Sequence, residues 1–328
     1  MVLDGSAAYG RTVEMTEHYT VADFSFAVTL LEERDLDMLL PSFRSFRSKA
    51  PAEGDKLFEL VEHASLPPRE ADVLLDEDSN DMGHTLLYRT PSGYRIEFDY
   101  DGGPVHVVET DAGFADVRAM VRWDDRFART ALCSMLRIVF AQAILPYGGL
   151  SMHSSVVVNG GQAFMFMGKS GTGKSTHSRL WLNHIEGSWL LNDDNPMLRL
   201  TEDGVRVYGS PWSGKTHCYR NESAPVAGIV RLKQAPRNRF RVCEDIAAFS
   251  AVLPGCSVLR QDMRLHEALC ETLAELTERT LVGELECLPD REAAEVCRRG
   301  MTTVIPSEAE SRTNVIPSEA VGRDEESL

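Results

Sequence analysis

A chain of 328 residues that is 43% hydrophobic and 26% charged has the composition of a soluble globular protein, with length enough for two domains. Its formal net charge of −16 argues against a nucleic-acid partner, whose phosphates it would repel, although a few local donors suffice for a nucleotide site. No apolar run approaches the roughly 20 residues that cross a membrane, and seven cysteines without a CxxC pair favour the reduced cytoplasm.

The first part of the chain, residues 1–125, predicts a β-rich N-terminal accessory domain. Residues 21–31, VADFSFAVTLL, alternate in part between polar and apolar positions, as a half-buried strand does. Residues 85–100, TLLYRTPSGYRIEFDY, predict a hairpin that turns at the Pro-Ser-Gly segment. No motif that carries chemistry occurs in this part of the sequence.

The hydrophobic period changes at Asp125. Residues 125–145, DRFARTALCSMLRIVFAQAIL, place apolar side chains at helical spacing, and the proline and two glycines that follow end this helix. Two apolar runs, SMHSSVVV and AFMFM, then predict adjacent buried strands. Strands mixed with helices indicate an α/β domain over residues 126–300.

The C-terminal segment, residues 301–328, predicts a disordered tail. It is polar, acidic and poor in aromatic residues, so it has little apolar area to bury. The hexapeptide VIPSEA occurs twice, eleven residues apart, which is too few copies for a solenoid. A docking peptide remains the alternative interpretation of this segment.

The most specific motif is a phosphate loop. Gly168, Gly173, Lys174 and Ser175 satisfy G-x-x-x-x-G-K-[ST], after an apolar strand and before a helix. The glycines let backbone N–H groups turn toward phosphate oxygens, and the positive end of the following helix points at the same phosphates. We expect Lys174 to reach the β- and γ-phosphates of a nucleotide and the Ser175 hydroxyl to bind Mg²⁺.

Two adjacent aspartates, Asp193 and Asp194, end the predicted strand SWLLNDD. A carboxylate at the end of a strand can hold Mg²⁺, and a second one can accept a proton from an attacking hydroxyl. Residues 192–196, NDDNP, also have good turn chemistry, so a solvated turn is the alternative. The upstream phosphate loop favours the functional interpretation, because such a site needs an acid for its metal.

Two further positions stay open between a structural and a functional role. His153 stands at the start of the strand SSVVV, where a lone histidine is usually structural. Lys215 belongs to a second Gly-Lys loop, SPWSGKTHCYRN, residues 210–221. It is either a solvated lysine or a second cation for the transferred phosphoryl group or an anionic substrate.

The segments HSSVVVNGGQAFMFMGKSGTGKSTHSRLWL and WLLNDDNPMLRL together resemble the catalytic domain of HPr kinase/phosphorylase. The likeness extends to the carboxykinase-like bacterial proteins that carry NDDNP and GSPWSGK segments, and to ATP-dependent phosphoenolpyruvate carboxykinase. The order is the same: a histidine, a strand pair, the phosphate loop, a helix, then paired aspartates. The stronger match covers about residues 148–232, and a weaker one runs to about residue 299.

The resemblance implies an HPr kinase/carboxykinase-like P-loop domain with a mixed sheet and flanking helices. It implies that Ser175 and one of the paired aspartates bind Mg²⁺, with Asp194 favoured for the metal and Asp193 for the base. His153 matches a histidine that is a metal ligand in carboxykinases and lies beside the paired acids in HPr kinases. The residues that it assigns to the ATP phosphates are Gly168, Lys169, Ser170, Gly171, Thr172, Gly173, Lys174, Ser175 and Thr176.

The sequence therefore predicts a cytoplasmic, Mg²⁺- and ATP-dependent kinase that transfers the γ-phosphoryl group to a hydroxyl. The acceptor is a peptide, a protein or a small molecule, with a serine expected, and the resemblance implies a homo-oligomer. The second arginine segment of HPr kinases does not follow the paired acids, where PWSGK stands instead. The alternatives are a carboxykinase-type or phosphorolytic enzyme and an ATP-binding regulatory module without transfer. The expected catalytic residues are Asp193, Asp194, Lys174, His153 and Lys215.

Overall fold

The computed structural model describes residues 14–302, except residues 33, 53, 70, 81–82 and 215. The described residues form an α/β structure with two mixed β-sheets, one in the N-terminal part of the chain and one in the C-terminal part. None of the helices in this part of the chain has the length and apolar character needed to cross a membrane.

The N-terminal sheet contains eight strands. They are β1 (Met15–Val21), β2 (Phe24–Leu30), β3 (Lys56–Glu62), β4 (Val73–Asn80), β5 (Gly83–Arg89), β6 (Gly93–Asp99), β7 (His106–Asp111) and β8 (Asp116–Met120). Their order is β1-β2-β3-β8-β7-β6-β5-β4. A short helix, α1 (Leu36–Leu39), occurs in the segment that connects β2 to β3. The hairpin predicted from residues 85–100 is confirmed as the antiparallel pair β5 and β6.

The predicted helix after Asp125 is confirmed as α2 (Ala128–Ala143). Its apolar side chains are buried along most of its circumference, because it lies between the two sheets. Phe140 contacts Phe26 of the N-terminal sheet, with ring centroids 5.6 Å apart, and Trp212 of the C-terminal part at 5.4 Å. A single hydrophobic cluster consequently runs through both parts of the chain. The predicted boundary near residue 125 separates two sheets, but it does not separate two hydrophobic cores.

The C-terminal sheet contains nine strands. They are β9 (Gly149–Ser151), β10 (Ser154–Asn159), β11 (Gln162–Met167), β12 (Trp189–Asp194), β13 (Met197–Thr201), β14 (Gly204–Tyr208), β15 (Ser223–Gln234), β16 (Arg239–Cys243) and β17 (Leu281–Cys287). The main path is β12-β10-β11-β15-β14-β13-β9, while β17 pairs with β15 and β16. The helices are α3 (Lys174–His184), α4 (Asp245–Val252), α5 (Met263–Arg279) and α6 (Arg291–Thr302).

Strand direction in this sheet determines where the predicted site residues meet. Strand β10 is antiparallel to both β11 and β12, so the start of β10 lies beside the ends of the other two. The phosphate loop follows β11, the paired acids end β12 and His153 directly precedes β10. All three sequence features therefore meet at the same end of these three neighbouring strands.

Helix α6 extends two residues into the segment predicted as a disordered tail. Met301 is fully buried in a cluster with Ala294 and Cys297, which lie on the same face of the helix at helical spacing. The helix ends at Thr302, one residue after Met301, where the predicted tail begins. The remaining part of the predicted tail, residues 303–328, lies outside the described residues.

We expect Met301→Ala to lower the free energy of unfolding by about 2–5 kcal/mol, because it removes a fully buried side chain and leaves a cavity. The measurement is denaturant unfolding followed by circular dichroism. Arg298→Ala is the matched control, since its side chain is exposed on the same helix. Equal unfolding midpoints for the two variants would contradict the burial of α6 up to Met301.

Candidate functional site

The phosphate loop connects β11 to α3. Gly171 and Gly173 have φ angles of 79° and 109°, in the left-handed region that glycine adopts without steric cost. The Thr172 hydroxyl donates to the Lys169 carbonyl at 2.7 Å, which closes the turn between them. Helix α3 begins at Lys174 with no side-chain cap, so its first N–H groups face the loop. The loop and the helix end together present backbone donors to an anion.

Lys174 and Ser175, the first residues of α3, point into this loop. The Lys174 ammonium donates to the Gly168 carbonyl at 3.0 Å. Burial lowers the pKa of Lys174, while the nearby charges of Asp194 and Asp193 act in the opposite direction. The Ser175 hydroxyl donates to Oδ1 of Asp193 at 3.0 Å. The loop cation and the loop hydroxyl are thus both directed toward the paired acids.

Asp193 is buried, with only 3% of its surface exposed. Its Oδ1 accepts the Ser175 hydrogen bond, and its Oδ2 is buried with no hydrogen-bond partner among the residues that the structure describes. Buried carboxylate oxygens normally have a partner, and an unpaired one is costly. A carboxylate and a hydroxyl beside a phosphate loop are the hard oxygen ligands that Mg²⁺ takes along with water and phosphate oxygens. The residues present therefore fit Mg²⁺ bound together with a nucleotide.

Asp194 has a different environment, since its side chain is 21% exposed toward the site. His153 Nε2 lies 3.2 Å from its Oδ1, the Asn195 amide donates to its Oδ2 at 2.7 Å, and Arg137 approaches that oxygen at 3.7 Å. Burial alone would raise the pKa of Asp194. The hydrogen bond from His153 and the charges of His153, Arg137 and Lys174 together outweigh burial and lower it. The carboxylate is therefore held in its charged form.

The PWSGK loop packs directly behind the paired acids. The buried Asn192 amide donates to the carbonyl of Trp212 at 3.1 Å, and the Gly214 N–H donates to the Asp193 carbonyl at 2.6 Å. A Cβ on Gly214 would lie 3.0 Å from that carbonyl, so only glycine fits without a shift. Lys215, the predicted second cation, lies outside the described residues.

Arg137 is the site residue that the sequence analysis missed. It belongs to α2, which the sequence analysis treats only as a helix of the catalytic domain, yet its guanidinium reaches the Asp194 carboxylate. One signal was present: Arg137 is the only charged residue between positions 131 and 145. A charged side chain within an otherwise apolar, buried stretch needs an oppositely charged or hydrogen-bonding partner, and here Asp194 provides one.

A cleft of about 1260 Å³ opens over these residues. Its lining includes the phosphate loop, the paired acids, His153 and the arginines Arg137, Arg179 and Arg260. The N-terminal sheet also contributes to the lining, through Asp76, Asp78, Thr85, Leu87 and Ile96. The cleft is larger than many small-ligand pockets, so it has room for a nucleotide and part of a second substrate.

No protein-family model matches the sequence, and no curated protein matches it either. Among solved structures, the Hpr(Ser) kinase/phosphatase from Coxiella burnetii is similar over 37% of this chain and 87% of that chain. The sequence identity is 12% and the TM-score is 0.23. A likeness at this level supports no argument about the site.

Proposed function

We propose that this protein is a Mg²⁺- and ATP-dependent phosphotransferase that transfers the γ-phosphoryl group to a hydroxyl of an acceptor. One observation carries the proposal. The Ser175 hydroxyl lies 3.0 Å from Oδ1 of Asp193, beside a glycine loop that opens a helix, and the buried Oδ2 of Asp193 has no partner within the described part of the chain. This combination offers two metal ligands next to a phosphate cradle.

The loop residues 168–176 bind the nucleotide phosphates in this proposal, with backbone N–H groups and the positive end of α3 as donors. Lys174 leaves the Gly168 carbonyl for the β- and γ-phosphate oxygens, which are stronger, charged acceptors. Ser175 and Asp193 would hold Mg²⁺, which would supply positive charge to offset the negative charge of the phosphate oxygens.

Asp194 is the general base in this proposal. Its carboxylate is charged and partly open to the cleft, so it can accept the proton of an acceptor hydroxyl. The hydroxyl oxygen forms a bond to the γ-phosphorus, while the bond to the β–γ bridging oxygen breaks and ADP leaves with that electron pair. This division of labour is the reverse of the one expected from the resemblance, because Asp193 rather than Asp194 contacts Ser175.

His153 and Arg137 act through Asp194 in this proposal. His153 Nε2 and the Arg137 guanidinium approach different oxygens of its carboxylate, so together they determine how the carboxylate is oriented. Lys215 is proposed as the second cation for the transferred phosphoryl group, because it follows Gly214, which packs on the paired acids.

The test is incubation of the protein with γ-labelled ATP, Mg²⁺ and an extract of the cells that express it, followed by identification of the labelled product. We expect one labelled class of acceptor that is absent with Asp194→Asn. ATP binding without any labelled product would instead indicate a nucleotide-binding regulatory module. ATP turnover that depends on oxaloacetate would indicate an enzyme of carboxykinase type.

A further inference from the structure

Strand β4 contributes Asp76 and Asp78 to the lining of the cleft. It stands at the end of the N-terminal sheet, and among the described residues β5 is the only strand that pairs with it. Its other edge therefore carries backbone N–H and C=O groups with no strand partner in this part of the chain. An unpaired edge is a template on which an extended peptide can add as a further strand.

The two faces of β4 have different surroundings. Asp76 and Asp78 pair across the sheet with Leu87 and Thr85, and all four side chains line the cleft. Glu77, between the two aspartates, is on the other face, where its carboxylate contacts His84 Nε2 at 2.9 Å. The alternation of a strand thus directs two of three consecutive acids toward the site.

The beginning of β4 exposes apolar surface. Val73 is 59% exposed and Leu74 is 49% exposed. The loop before α5 lies against the same strand, since the Gln261 amide donates to Oδ2 of Asp76 at 3.2 Å, and Met263 just after it is 76% exposed. Large exposed apolar side chains beside an unpaired strand edge are typical of a surface that binds a chain.

The cleft itself is built to hold a ligand, as the buried Oδ2 of Asp193 indicates, since none of the described residues forms a hydrogen bond with it. The cleft is lined by charges of both signs. Lys174 and Arg137 lie near the paired acids, Asp76 and Asp78 belong to β4, and Arg260 precedes Gln261, which contacts Asp76. Anionic phosphates match the cations beside the loop, and a cationic group matches the two carboxylates of β4.

We propose that the acceptor is an extended basic peptide that pairs its backbone with the free edge of β4. Its lysine or arginine side chains face Asp76 and Asp78, and its hydroxyl side chain reaches Asp194. This inference rests on the proposed phosphotransferase function and adds the substrate class. Main-chain pairing supplies affinity, and the alternate carboxylates supply selectivity for positive charge.

The test uses a set of ten-residue peptides with one central serine and with lysine, alanine or aspartate placed in turn at each other position. Phosphorylation with γ-labelled ATP is measured as kcat/KM. Relative to alanine, we expect lysine to raise kcat/KM about tenfold or more at one or two positions, and we expect aspartate at those positions to lower it. The double variant Asp76→Asn/Asp78→Asn should lose this preference while its ATP affinity stays unchanged.

Glu77→Gln is the matched control, because it removes one charge from the same strand on the face away from the cleft. It should retain the lysine preference. Peptides N-methylated at single backbone positions test the strand pairing, and we expect kcat/KM to fall at alternate positions only. An unchanged preference in the double variant, or uniform tolerance of N-methylation, would overturn the inference.

Failure of the inference and failure of the proposed function give different results. If no peptide is labelled while an extract still yields a labelled small molecule that requires Asp194, the peptide inference is wrong and the phosphotransferase proposal stands. If ATP binds but nothing in the extract or in the peptide set is labelled, both are wrong.

Discussion

Lys174→Ala is expected to abolish phosphoryl transfer, with a loss of about 10³-fold or more, and to weaken ATP binding. Lys174 is the side-chain cation of the loop that is directed inward, toward Gly168 and the paired acids. Its removal leaves the β- and γ-phosphates without that charge in a partly buried site. The measurements are ATP affinity by calorimetry and labelled-phosphate transfer to an identified acceptor.

Lys169→Ala is the matched control for this variant. Lys169 belongs to the same loop, but its side chain is exposed, so its charge is screened by water. We expect its ATP affinity and turnover to remain within a few-fold of the unmodified protein. Equal and mild effects of the two alanine variants would contradict the assignment of a phosphate-binding loop.

The asparagine variants of the paired aspartates are expected to fail in different ways. Asparagine keeps the size and one oxygen of aspartate but loses the charge and the basicity. Asp193→Asn should need a higher Mg²⁺ concentration and recover partly when it is supplied, because Asp193 shares the proposed metal with Ser175. Asp194→Asn should bind Mg²⁺ and ATP well but lose about 10²–10⁴-fold in turnover, as expected for the loss of a general base.

The experiment measures ATP affinity, Mg²⁺ dependence and turnover of both variants with one acceptor. Ser175→Ala is the companion variant, and it should share the Mg²⁺ dependence of Asp193→Asn. If the two asparagine variants exchange phenotypes, the division expected from the resemblance is correct and the one proposed from the geometry is wrong. If both variants retain near-normal turnover, the NDDNP segment is only a turn.

The features that depend on neighbours in the sequence were predictable without the structure. The turn at Gly171 and Gly173 and the start of α3 at Lys174 follow from backbone preferences within a few residues. The same holds for α2 and for the β5–β6 hairpin, where hydrophobic period and turn residues act locally. In α6, the helical spacing up to Met301 was present in the sequence, but the polar composition of the segment after it obscured the end of the helix.

The features that join distant segments required the tertiary structure. The pairing of Ser155 with Asp193 brings β10 and β12 together, and only this register shows which aspartate meets Ser175. Two adjacent aspartates have almost the same local sequence, so their roles depend on strand alternation and on partners brought from other elements. Arg137 belongs to α2 and precedes the phosphate loop by about thirty residues, yet its guanidinium lies beside Asp194 in the folded chain.

The sequence by itself thus determined the conformation of the loop, because backbone φ angles and helix ends are set within a few residues. Only the tertiary structure decided that the N-terminal sheet, which carries no chemical motif, lines the same cleft as that loop. The reason is that α2 buries apolar side chains against both sheets, so that one hydrophobic cluster joins them. Packing between elements far apart in the chain leaves no pattern in either segment alone.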